Sequence, residues 1–65
     1  MALGPERKRT VYVHERPQVI SVHQRSKTVW VARGEYMSEW HESRGRSANA
    51  AADHWREWAR YKGNG

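Results

Sequence analysis

Apolar residues follow two different periods along this chain. Between residues 10 and 44 they alternate with polar ones, and between 47 and 63 they return every third or fourth position. Alternation is the period of a strand with one buried face, and the longer spacing is that of a helix with one buried stripe. In the second regime Ala48, Ala51, Ala52, Trp55, Trp58 and Ala59 form the stripe, predicting one amphipathic helix over residues 47–63. Ser47 stands at the N-cap, where its hydroxyl can accept from a first-turn amide. Gly63, behind Arg60, Tyr61 and Lys62, reads as a left-handed C-cap. Asp53 with Arg56, and Glu57 with Arg60, are expected as opposite-charge pairs one turn apart. The two indoles, Trp55 and Trp58, are the main burial this helix offers.

The alternating regime predicts strands. Residues 19–25 send Ile20 and Val22 one way and Val19, Ser21, His23 and Arg25 the other. Residues 28–36 separate Trp30, Ala32, Gly34 and Tyr36 from Val29, Val31, Arg33 and Glu35. Met37, Ser38 and Glu39 are expected to turn the chain into a third strand, 40–44, with Trp40 in the core and His41 on the opposite face. Glu42 shares the side of Trp40 and would then have to reach a partner at the rim. Residues 10–16 alternate as well, with Val11 and Val13 against Tyr12 and His14, before Pro17 closes the run. The expected fold is α+β: a three-stranded antiparallel meander packed on one C-terminal helix, with a possible extra N-terminal strand. Ala32 and Gly34 leave a low place in the sheet into which an indole can settle, large opposing small.

Composition changes this picture in two places. A chain of 65 residues is one small domain near the lower limit for folding without a staple, and it has no cysteine to supply one. The formal charge of +5 lies wholly in the amino-terminal half, since residues 34–65 hold as many acids as Lys and Arg. Such asymmetry points to a polyanionic partner. Residues 1–9, with Arg7, Lys8 and Arg9, are expected to form a flexible basic arm ahead of a single domain over 10–65. No apolar run approaches the length of a membrane span, so no membrane partner is expected and the protein is expected in the cytoplasm.

Enzymatic chemistry finds little to work with. His14, His23, His41 and His54 form no i, i+2 pair on a strand and no i, i+4 pair on the helix, so neither a metal site nor a cofactor is expected. The serines have no local histidine and acid to activate them, and the glycines form no phosphate-cradling loop. A chain this short also offers little room to enclose a pocket of the ~300 Å³ that small ligands usually occupy.

The run Ser21–Val22–His23–Gln24–Arg25, then Trp30–Val31–Ala32, then Ser47–Ala48 with Ala51, Ala52, Trp55 and Ala59, resembles the plant ethylene-response-factor type DNA-binding domain. It is similar, more loosely, to the arm-binding domains of some phage and transposon integrases. The resemblance covers roughly residues 19–60, and departs from the plant family at His23 and His41, where that family tends to carry Arg and Trp. Both families set a three-stranded sheet on a C-terminal helix and insert the open sheet face into the major groove. The resemblance therefore implies DNA contacts from His23, Arg25, Arg33, Glu35 and His41. Lys27, in the turn between two of the strands, and the arm cations Arg7, Lys8 and Arg9 would add backbone contacts.

The functional expectation is a small non-enzymatic module that binds duplex DNA through the open face of its sheet. The alternative is a protein-interaction or homodimer module without a nucleic-acid role, in which Val19, Val29 and Val31 of that face are covered by a partner.

Overall fold

A computed structural model describes residues 6–64 of the chain. Its elements are β1 (Arg7–Val13), β2 (Arg16–Ser26), β3 (Val29–Tyr36), β4 (Glu39–Gly45) and α1 (Ala48–Asn64). The strands form one antiparallel meander in the order β1-β2-β3-β4, and α1 packs across one of its faces. The α+β class and the C-terminal helix are as the pattern predicts, and the extra amino-terminal strand is present. It starts earlier and ends earlier than the alternation suggests. Arg7, Lys8 and Arg9 pair with Val22, Ser21 and Ile20, so these three cations belong to the sheet and not to an arm. Residues 1–5 of the expected arm lie outside the described residues.

The bounds of the strands are set by their turns. His14–Glu15 and Met37–Ser38 are two-residue connections in which all four residues have positive φ, from 51° to 66°. That is the backbone of a type I′ hairpin, whose twist matches the strands it joins. The usual marker, Asn-Gly, is absent from both. The β2–β3 connection, Lys27–Thr28, does not use positive φ, and the ladder beside it shifts register between Gln24 and Ser26. A bulge there takes up the twist that the turn does not supply. Pro17 sits in the part of β2 that pairs only with β1, so one side of its backbone has no ladder to satisfy.

Core residues come from alternate positions: Val11 and Val13 from β1, Ile20 and Val22 from β2, Ala32 from β3, and Ala51, Ala52, Trp55 and Ala59 from α1. Trp55 has no exposed surface and is the largest fully buried side chain. It lies over Gly34, where an added Cβ would stand 3.0 Å from Trp55 Cζ2 and 2.6 Å from Ile20 Cγ2. Trp58 is half-buried beside it, with Tyr36 edge-on to both rings at 6.3 and 6.5 Å. At the helix start Ser47 Oγ accepts from the Ala50 amide, the expected cap. The helix end differs from expectation: Gly63 remains helical without positive φ. A Cβ there would meet His14 and the Tyr36 hydroxyl at 3.1 Å, so the glycine lets the last turn approach the β1–β2 hairpin.

Two mutations test this arrangement. Gly34→Ala should lower stability by about 1–3 kcal/mol through overpacking against Ile20 and Trp55, read as a fall in the urea midpoint. Met37→Asn with Ser38→Gly should raise the midpoint, since residues that tolerate left-handed backbone remove part of a cost of about 1–2 kcal/mol per residue.

Candidate nucleic-acid interface

Which side chains share the uncovered face follows from register. Lys8 pairs with Ser21, Ser21 with Arg33, and Arg33 with Glu42, a polar row crossing all four strands. The neighbouring row is His23, Val31 and Arg44. His23, Arg25, Arg33 and Glu35 thus lie on the open face, where the alternation predicts them. Lys8 joins them and donates to Ser21 Oγ at 3.1 Å.

The third predicted strand is turned over. Because Met37–Ser38 alone forms the turn, Tyr36 pairs with Glu39, and every β4 residue faces opposite to the sequence-based assignment. Trp40 is not in the core; it is 68% exposed on the open face beside Glu35. His41 is not on the open face. It stacks on Trp58 with ring centroids 4.1 Å apart and planes within 7°, sealing the helix side of the sheet. Glu39, also on that side, pairs with Lys62, which lies over the Trp58 ring.

Glu42 finds two partners. Its carboxylate lies 3.8 Å from Arg25 Nη1 and 3.7 Å from Arg33 Nε. Arg25 belongs to β2 and Glu42 to β4, so the pair arches over β3 and over Val31 between them. Val31 is consequently fully buried, although it points away from the helix. The two arginines expected to read DNA therefore share one carboxylate. All three side chains remain about half exposed, and such surface pairs contribute roughly 0–1 kcal/mol, so they open readily to a competing anion. Of the helix pairs, Glu57–Arg60 forms at 3.6 Å; Asp53 and Arg56 do not form an ion pair with each other.

The meander also sorts charge along its strands. The start of β1, the end of β2 with its turn, the end of β4 and the start of α1 all lie at one pole. Arg7, Lys8 and Arg9 enter it on β1, Arg25 and Lys27 on β2 and its turn, and Arg44 and Arg46 at the end of β4. Seven of the twelve Lys and Arg residues are there, against Glu6 and Glu42, the latter level with Lys8 and paired with Arg25. The far half carries Arg16, Arg60 and Lys62 against Glu15, Glu35, Glu39 and Glu57. Arg9 turns to the helix side and donates to Asn49 Oδ1. Arg44 and Arg46 were not among the sequence-derived site residues, because their half of the chain is neutral in sum. A signal was present: both flank Gly45 immediately before the helix cap.

Comparison of the chain with family models, with curated proteins and with solved structures finds no match. No helix is long and apolar enough to cross a membrane. Among the described residues, no group of three or more His, Asp or Glu is placed to hold a metal ion.

His41→Ala should lower stability by about 0.5–1.5 kcal/mol through loss of the Trp58 stack. It should leave nucleic-acid affinity unchanged; a weaker complex with unchanged stability would return His41 to the interface.

Proposed function

We propose that this protein is a small nucleic-acid-binding module that presents its basic pole, with the adjoining part of the open sheet face, to duplex DNA. The observation that carries the reading is the gathering of seven cations at one end of a molecule only 35 × 18 × 16 Å in extent, against two acids, Glu6 and Glu42. Like charges held that close raise the local potential and draw a polyanion to that end. Duplex DNA suits the shape of the pole. A two-stranded ribbon fits a major groove about 12 Å wide, and the β2–β3 hairpin ends at this pole with Arg25 and Lys27 at its tip. Arg25 and Arg33 reach phosphates or guanine edges once they release Glu42; Lys8, Arg7 and Arg9 lie along the neighbouring strand. A cytoplasmic location is part of the same proposal.

A second reading has its own support at the opposite pole. Trp40, Val19 and Tyr12 are 68%, 63% and 60% exposed and share the open face there. An apolar group of that kind is what a homodimer or a protein partner covers. Val31, one of the residues first expected in that contact, is already buried and takes no part. The two readings use different ends of the face and are not exclusive.

Fluorescence polarisation with a random 20-base-pair duplex tests the first. The affinity should fall with salt with a log–log slope of about −4 to −6, as several phosphates are neutralised at roughly 0.9 per contact. Glu42→Gln should tighten binding by freeing both arginines. No binding at low salt, or a salt-independent affinity, would overturn the proposal. For the second, sedimentation should show a concentration-dependent dimer that Trp40→Ala abolishes.

A further inference from the structure

Between the β2–β3 turn, the end of β4 and the first turns of α1 lies a cleft of about 950 Å³. Chain length alone suggests less room. The space arises because it is a surface recess between a hairpin and a helix start, not a hole in the core. Lys27, Arg44, Arg46 and His54 line it, with Thr28 and Ala50 among its smaller side chains.

The electrostatics of this recess are unbalanced in three respects. No carboxylate lines it, and among the described residues none of Lys27, Arg44 and Arg46 forms an ion pair. The recess that these three cations line abuts the positive end of α1, whose first turn holds no acid, with Arg44 entering from the open-face side of β4. Cations are disfavoured at that end of a helix, where anions are stabilised. Finally, the chain specifies the close approach that puts them there. A Cβ on Gly45 would collide with the backbone of Ala50 and Ala51, so only glycine lets β4 meet the helix with an arginine on each side.

His54 adds a directed group. Its Nδ1 lies 2.6 Å from the Arg44 carbonyl oxygen. A carbonyl only accepts, so Nδ1 carries the proton and Nε2, across the ring, is the nitrogen left for a ligand. In that tautomer Nε2 accepts, and it can hydrogen-bond a protonated phosphate oxygen.

We propose that this cleft is a phosphate-binding site, built from Lys27, Arg44, Arg46 and His54 at the start of α1. Its natural occupant is a backbone phosphate of the nucleic acid, and for that source it rests on the reading given above. Its chemistry does not, because a polyphosphate in solution offers the same oxygens. An arginine fork meets two phosphate oxygens at once, and Lys27 approaches from the facing turn as a point charge.

The experiment compares two variants that each remove two charges: Arg44→Gln/Arg46→Gln in the cleft, and Arg16→Gln/Arg60→Gln at the far half. All four arginines are exposed, so both variants should keep the wild-type circular dichroism and melting curve. Two probes are titrated, inorganic tripolyphosphate by calorimetry and the 20-base-pair duplex by polarisation. The cleft variant should lose at least about tenfold in affinity for tripolyphosphate and reduce the salt slope on the duplex by about 2, while the far variant changes neither. The Thr28 and Gly45 amides of the wild type should shift in NMR spectra on adding tripolyphosphate. Equal losses in the two variants would show attraction by net charge alone and overturn the site. So would a wild type that does not bind tripolyphosphate, or duplex binding that the cleft variant leaves intact; in the last case the nucleic-acid reading survives. Tripolyphosphate binding lost in the cleft variant, with no duplex binding by any form, would uphold the site and remove the nucleic-acid reading.

Discussion

The fold depends on one contact, the seating of the Trp55 indole over Gly34. A meander of four short strands has no large apolar residue on its helix side apart from Ile20 and the half-buried Trp30 and Tyr36. Its other buried inward positions are valine, alanine, glycine and serine, and the helix otherwise buries only alanines in full. With so few methylenes available, one indole fills the space between the layers, and it does so only because Gly34 leaves no Cβ beneath it. The fit has a cost. Trp55 Nε1 is buried without an acceptor, an expense of about 1–3 kcal/mol that the burial of the rest of the ring must exceed. In a domain this small, whose core rarely supplies more than about 3–5 kcal/mol in all, that one side chain decides whether the chain folds.

From that contact the register of the sheet follows, and with it the identity of the open face. The parts of this logic that depend on composition were legible in the sequence. Ala32 and Gly34 marked the low place in β3, the tryptophan stripe marked the helix, and Ser47 marked its start. Alternation placed His23, Arg25, Arg33 and Glu35 on the open side. What could not be read were the two I′ turns. His14–Glu15 and Met37–Ser38 lack the Asn-Gly or Asp-Gly that marks a type I′ turn, so no residue signal shows where either hairpin reverses. A turn placed one residue too long inverted β4 in the expected fold, exchanging Trp40 for His41. The isolated acid, Glu42, was the warning: a carboxylate assigned to the core side of a strand is more cheaply explained by a strand facing the other way.

Inversion of β4 changes the chemistry of both faces. On the helix side, His41 lies flat on Trp58 and Lys62 covers the same indole from the next turn, held by Glu39. A half-buried tryptophan is thereby screened by two polar residues instead of by core. On the open side, Glu42 draws Arg25 and Arg33 together over Val31 and gives the sheet a second, shallow layer of cover made only of charged side chains. The open face is thus partly closed by groups that a phosphate can displace.

Charge distribution shows why linear sequence is a poor guide to an electrostatic surface in a meander. Along the chain, the excess lies in residues 1–33; in space, it lies at one pole, to which the neutral carboxy-terminal half contributes Arg44 and Arg46. Strands that reverse every seven to eleven residues fold positions far apart in sequence into one end. The neutral half is therefore a sum of acids at the end of β3 and the start of β4 and arginines at the end of β4, and the two separate because β4 runs from one pole to the other. Nothing in the packing of the core requires this sorting, since each of the residues concerned is at least partly exposed. Exchanging Arg44 with Glu35, for example, would leave the hydrophobic layers untouched while shortening the distance between opposite charges. A charge pattern that the fold does not need, and that raises its electrostatic self-energy, is one that the proposed polyanionic ligand would relieve.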